Sequence, residues 1–217
     1  MWLLLIERYR ESWFDTHVRF SIPLSFIIFL LAIFGVQPLA IEYTNDVATN
    51  PVGDIVLSNI PVFQVGWIFV YGMFILVAFI TLLCLLHPKR IAFTLHSLTL
   101  FVLIRSLFVS LTHVGAFGTQ AVSHFGPGIT QMFFAADHFF SGHAGAPFLM
   151  ALMYWHVKPL RYIFLAWSVF FSVLVLLGHL HYTIDVLAAF FITYGIYHLA
   201  LWLFPKERAL FLEATPN

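Results

Sequence analysis

Six apolar stretches, each close to the length of a membrane crossing and each ending in a polar break, limit what this chain can fold into. They run over residues 20–40, 60–86, 91–112, 139–157, 160–178 and 180–204. A spanning helix needs roughly 20 mostly apolar residues at about 1.5 Å rise each. Hydrocarbon offers no water to peptide groups, so such stretches satisfy their own backbone as helices. The expected fold is an all-α integral membrane protein, a bundle of six transmembrane helices. Composition agrees, with 61% hydrophobic and 9% charged residues among 217 and 26 Phe. No repeat or long linker divides the chain, so residues 20–205 are read as one domain and 206–217 as a cytoplasmic tail. In residues 1–19, Trp2, Ile6, Tyr9 and Trp13 recur at helical spacing opposite Glu7, Arg8, Arg10 and Glu11. That pattern predicts an amphipathic helix lying on the membrane interface, or else packed against the bundle.

Charge position sets the orientation. Short cytoplasmic loops accumulate Lys and Arg, and translocated loops do not. Arg8, Arg10 and Arg19 precede the first stretch, Lys89 and Arg90 join the second and third, Lys158 and Arg161 join the fourth and fifth, and Lys206 and Arg208 follow the sixth. The intervening segments 41–59 and 113–138 hold neither Lys nor Arg. Both termini are therefore expected in the cytoplasm. His113, His124, His138, His143, His179 and His181 fall on the opposite, periplasmic, lumenal or extracellular side. The formal net charge is zero, so nothing favours a nucleic-acid partner. The single cysteine, Cys84, excludes an internal disulfide. Oligomeric state is left open.

Two runs on the outer side carry candidate chemistry. In His181-Tyr182-Thr183-Ile184-Asp185 the His and Asp stand at i and i+4, which on a helix places a carboxylate beside an imidazole. The carboxylate would fix the ring tautomer and leave the other nitrogen to attack or take a proton. An interfacial polar pair that merely begins a helix is the bland alternative. In Phe140-Ser141-Gly142-His143-Ala144-Gly145 small residues open a helix, where unpaired N–H groups and the positive dipole end favour an anion. His143 there is placed to protonate a leaving oxygen. Alone, a His near a helix end is more often a satisfied polar residue than a catalyst.

Together these runs resemble the type 2 phosphatidic acid phosphatase (PAP2) superfamily, whose motifs contain Ser-Gly-His and a His followed four residues later by Asp. The resemblance is to the sphingomyelin synthase branch at Asp137-His138-Phe139-Phe140-Ser141-Gly142-His143. It continues at Gly178-His179-Leu180-His181-Tyr182-Thr183-Ile184-Asp185-Val186 and 189–193, with a weaker likeness at Arg105-Ser106-Leu107. It implies His181 as nucleophile, Asp185 as its orienting partner and His143 as acid and base, without metal or cofactor. The reaction implied passes through phosphohistidine from a phospholipid donor to a lipid alcohol, ceramide or diacylglycerol in class. Asp137, Ser141, Gly142, Arg105, His179 and Tyr182 are the substrate-binding residues it implies. Lipid phosphatases usually add a Lys and Arg motif and an Arg shortly before the second His, and neither is present. A monoanionic phosphodiester needs less cationic help than a phosphomonoester, which favours head-group transfer. Leu180 stands where the synthases have an acidic residue, and Ala144 where they have Thr.

Three other readings compete. Water could resolve the phosphohistidine, making a hydrolase. The outer histidines could bind a metal, although on a helix His179 and His181 would diverge by about 200 degrees. A non-enzymatic lipid-binding or transport protein would also carry ionisable residues among its helices. Glu42, Asp46 and Asp54 read as solvated loop carboxylates, or as a surface facing a cationic head group.

Overall fold

The computed structural model describes residues 2–121 and 139–215. Asp137, His124 and His138 lie outside the described residues. The fold is all-α, with no strand among the described residues.

Helix α1 (Trp2–Phe14) ends where Asp15 turns the chain. Asp15 then accepts hydrogen bonds from the His17 and Val18 N–H groups, at 2.9 and 3.3 Å, and starts α2 (Thr16–Leu31). A π-helical turn, Ala32–Val36, joins α2 to α3 (Gln37–Val47). Pro38 explains the widened turn: it has no N–H, and its ring would crowd the carbonyl of Phe34 in a regular helix. The first crossing is thus a 32-residue unit, Thr16–Val47, longer than the expected 20–40. Glu42 and Asp46 are exposed on its end, on a helix and not in a loop.

Helix α4 (Gly66–Leu86) leads through the 3₁₀ turn Pro88–Arg90 into α5 (Ile91–Leu111). Then come α6 (Gly142–Met153), α7 (Lys158–Leu177), α8 (Thr183–Leu203) and α9 (Pro205–Glu213). Five helical units among the described residues are long and apolar enough to cross a membrane. The fourth expected crossing, 139–157, is helical only over the 12 residues of α6, about 18 Å at 1.5 Å per residue. Ser141 caps its start, and a turn bonding the Val157 N–H to the Tyr154 carbonyl at 2.9 Å closes its end. This short helix is the buried centre of the bundle. Ala144, Leu149, Met150, Ala151 and Met153 are all fully inside, and its main partners are α7 and α8.

Close approach at that centre depends on Gly145. A Cβ there would stand 2.8 Å from both Phe101 Cε2 on α5 and Thr193 Oγ1 on α8. Ser168 on α7 donates to the Ala144 carbonyl at 2.7 Å and fixes the same turn from the other side.

Apart from Arg105, the basic residues of the helix ends lie away from Ser141. Arg8 on α1 donates to the Leu86 carbonyl and to His87 Nε2, both at 3.1 Å. Burial, with Arg90 and Arg8 nearby, pushes His87 down to about 4, so its ring is a neutral acceptor. Tyr9 donates to the Leu85 carbonyl at 3.0 Å, while Ile6, Trp13 and Phe14 are exposed. The stretch 206–217, read from sequence as a tail, is helical to Glu213, with Phe211 fully buried and Arg90 donating to the Ala214 carbonyl at 2.6 Å.

Replacing Gly145 by Val should lower stability by about 1–3 kcal/mol, the usual cost of overpacking. Gly195→Ala, whose methyl group would meet nothing within 4 Å, should not destabilise the chain. Thermal unfolding of both variants in detergent checks this.

Candidate active site

The site is assembled from two helix starts. At the first, Phe140 is fully buried, with its ring 5.5 Å from Phe101 and 6.0 Å from Phe108. Its carbonyl accepts from Arg105 Nε at 3.0 Å. The guanidinium, buried to 7% exposure, lies against Gly142, where a Cβ would come within 3.0 Å of Nε. A side chain at 142 would therefore push Arg105 away from the start of α6. Ser141 Oγ accepts from the Ala144 N–H at 3.4 Å. Gly142 and His143 occupy the first turn, where N–H groups have no carbonyl one turn back and face an incoming anion. His143 thus begins α6 as its second residue.

At the second start, α7 ends at Gly178. His179 follows in the left-handed region, with φ 53°, and the Leu180 N–H returns to the Val175 carbonyl at 2.8 Å. His181 lies in this irregular segment, before α8 begins at Thr183. The expected i, i+4 pairing on one helical face is therefore corrected: only Asp185 is helical. Their proximity has another cause. Asp185 curls back at the third position of α8, accepting from the Tyr182 N–H at 2.9 Å through Oδ2. That same oxygen is 3.6 Å from His181 Nδ1, an ion-pair distance slightly beyond hydrogen-bond length. His181 and Asp185 are both buried, at 5% and 3% exposure.

One backbone bond joins the two starts: the Ser141 N–H donates to the Asp185 carbonyl at 3.1 Å. It brings the His143 and His181 rings to 6.4 Å between centroids, inclined by 52°. Two aromatic side chains, absent from the sequence-based site, wall His143. Phe69 on α4 packs at 4.2 Å and Phe171 on α7 at 6.2 Å. The result is a pair of imidazoles, with a carboxylate against one and a buried guanidinium behind the other. Such a pair can attack a phosphorus centre from one side and move a proton on the other.

Other expected site residues are engaged elsewhere. The Tyr182 hydroxyl donates to the Gly115 carbonyl at 2.8 Å and accepts from the Val52 N–H at 3.2 Å, bridging two segments distant in sequence. His179 Nδ1 lies 3.0 Å from the Thr119 carbonyl and 3.1 Å from its hydroxyl, with Phe117 edge-on to the ring. His113 Nε2 faces the Ser110 carbonyl at 3.0 Å. Among the described residues no three His, Cys, Asp or Glu side chains gather as a metal site.

Asp54 is engaged too, and not as a solvated carboxylate. Oδ1 accepts from the Val56 and Leu57 N–H groups at 2.9 and 3.0 Å. The same oxygen accepts from the Thr183 hydroxyl at 2.8 Å, and Oδ2 from the Thr183 N–H at 2.6 Å. The local half of this was legible, because Asp two residues before an N–H is a common turn former. The link across the chain to Thr183 left no signal in sequence.

Residues 135–202 match the family model described as PAP2 superfamily, C-terminal. The match takes in α6, α7 and nearly all of α8, hence both imidazoles and Asp185. Neither the curated proteins nor the solved structures offer a match. The chain is a multi-pass helical membrane bundle, and its matched segment is similar to a family of the lipid phosphatase and phosphotransferase type. The likeness to the PAP2 superfamily covers this segment, under a third of the chain.

The Asp54 contacts generate a pH dependence. Partial burial raises its carboxyl, but the hydrogen bonds from Thr183, Leu57 and Val56 outweigh it and hold the group below the usual carboxylate range. A depressed carboxyl stabilises the fold fully above its unfolded value, about 3.9, and loses that contribution as pH falls through the folded value. Proteolysis of segment 48–59 should therefore accelerate as pH drops from about 5 to about 3. In Asp54→Asn cleavage should be fast throughout, without that step.

Proposed function

We propose that this chain moves a phospho-head group from a phospholipid to a lipid alcohol through a phosphohistidine intermediate, as a sphingomyelin synthase-like enzyme would. The observation that carries the reading is the pairing of His143 and His181, with ring centroids 6.4 Å apart and Asp185 on the Nδ1 side of His181. Rings this close can address the two sides of one phosphoryl group, one attacking phosphorus and the other serving the departing oxygen.

The ring positions suit the following steps. Asp185 favours the Nδ1–H tautomer of His181, so Nε2 is the attacking nitrogen. An N–P bond forms, and the P–O bond to diacylglycerol breaks. His143 gives its proton to the departing alkoxide. A lipid alcohol such as ceramide then enters, His143 takes back the hydroxyl proton, and the alkoxide attacks phosphorus as the N–P bond breaks. The N–H groups of Gly142 and His143 and the Arg105 guanidinium are placed to stabilise the negative phosphoryl oxygens.

Charge supports a diester substrate. Arg105 is the guanidinium against the start of α6, while segments 41–59 and 113–138 lack Lys and Arg altogether. A phosphodiester carries one negative charge, where a phosphomonoester dianion would call for a larger cationic clamp. The concentration of Arg8, Lys89, Arg90 and Arg208 at the far end supports placing that end in the cytoplasm, with α1 along the interface and the reaction on the outer side.

The test is chromatography of lipid products after purified protein is incubated with fluorescent ceramide, fluorescent diacylglycerol and each common phospholipid in turn. A donor-dependent fluorescent phospholipid should form. His181→Ala and Asp185→Ala should reduce it sharply, and His143→Ala by roughly 100-fold or more. Release of phosphate or phosphocholine without an acceptor would make the enzyme a hydrolase, and products insensitive to His181→Ala would refute the phosphohistidine.

A further inference from the structure

The loop carboxylate of Asp54 stands far from both imidazole motifs in sequence, yet it binds the residue between His181 and Asp185. Both of its oxygens meet Thr183, at 2.6 Å to the N–H and 2.8 Å to the hydroxyl. Thr183 is the first residue of α8, and Asp185 stands two residues later. A carboxylate on the N–H groups of a helix start is favoured by charge-assisted hydrogen bonding and by the helix dipole. Asp54 has a second duty with the same side chain, closing the turn at Val56 and Leu57.

The first turn of α8 is thereby held from two directions. Asp54 grips its N-terminal end from segment 48–59, and the Ser141 N–H grips the Asp185 carbonyl from the α6 side at 3.1 Å. Asp185 must point its side chain backward, onto the Tyr182 N–H and His181 Nδ1. That orientation persists only while the turn beneath it keeps its position. The chain is itself tied down on both sides of Asp54, at Val52 and Phe63. The Tyr182 hydroxyl bonds the Val52 N–H, and the Phe63 N–H bonds the Leu177 carbonyl at 2.8 Å.

We infer that Asp54 is a positioning residue for the His181 and Asp185 pair, setting the His181 tautomer by holding Thr183 at the start of α8. It touches no reacting atom, and its catalytic consequence rests on the phosphohistidine reading above. His181 is faced by Asp185 from α8 and by His143 from α6, with Arg105 of α5 against the start of α6. Asp54 acts on this group through Asp185 alone.

Two measurements separate this role from simple loop anchoring. The first needs no substrate: the side-chain ¹³Cδ2 resonance of His181, assigned by its loss in His181→Gln, reports which ring nitrogen carries the proton. The neutral ring should be mainly Nδ1–H in the unaltered protein and should shift toward Nε2–H in Asp54→Asn. Thr183→Val, which removes the hydroxyl bond and keeps the N–H bond, should shift it less. Asp46→Asn on the exposed face of α3 should not shift it. The second is kinetic, using the donor and acceptor established by lipid chromatography. Asp54→Asn should lower kcat by about 10- to 100-fold, the usual scale for a misplaced reacting group, with KM little changed. The double variant Asp54→Asn with Asp185→Asn should be no slower than Asp185→Asn alone, because both act through one contact. An unchanged tautomer in both Asp54→Asn and Thr183→Val, or full additivity of the double variant, would overturn the inference. Should His181→Ala retain full transfer, the phosphohistidine reading falls, and the tautomer measurement still decides the role of Asp54.

Discussion

Inside hydrocarbon no water completes a hydrogen bond, so each peptide group must be satisfied from within the protein. Helix interiors do this automatically, and helix ends do not. Much of this structure answers where those ends go. Asp15 caps α2, Ser141 caps α6, and Asp54 and Asp185 between them serve the start of α8. The π turn before Pro38 answers the same constraint, since a missing donor is absorbed by changing the helical pitch.

The site inherits its geometry from these endings. His143 and His181 both stand at helix starts, one just inside α6 and one just before α8. Those starts face each other because the Ser141 N–H, spare at a helix N-terminus, finds the Asp185 carbonyl. A need for backbone satisfaction thus sets the spacing of the two imidazoles. Arg105 fits the same pattern, with its guanidinium buried and spent in part on the Phe140 carbonyl just ahead of Ser141.

Sequence made the helices readable wherever length and apolarity coincide, which is why α4, α5, α7 and α8 fall near their expected places. It overstated α6, because apolarity continues through Tyr154 and Trp155 after the helix has ended. It understated the first crossing, because Glu42 and Asp46 look like a loop although they ride on a helix that projects past its apolar stretch. Both imidazoles and Asp185 were legible from residue type and spacing, but the reason for their proximity was not. A four-residue interval suggests a helical face, whereas the chain achieves the contact with an irregular segment and a backward-pointing cap. The link from Asp54 to Thr183 and the packing of Phe69 and Phe171 on His143 were beyond reach, because each contact spans a large sequence separation.

In the proposed reaction the aromatic wall around His143 would have a kinetic meaning. Phe69 at 4.2 Å and Phe171 at 6.2 Å occupy space beside the ring that would otherwise admit solvent. In the proposed reaction a phosphorylated imidazole waits for either a lipid hydroxyl or a water molecule, and the faster arrival decides the product. The commitment of the intermediate then depends on how well two phenyl rings seal one edge of the gap. Opening that seal would alter the partition between transfer and hydrolysis while leaving every reacting group in place.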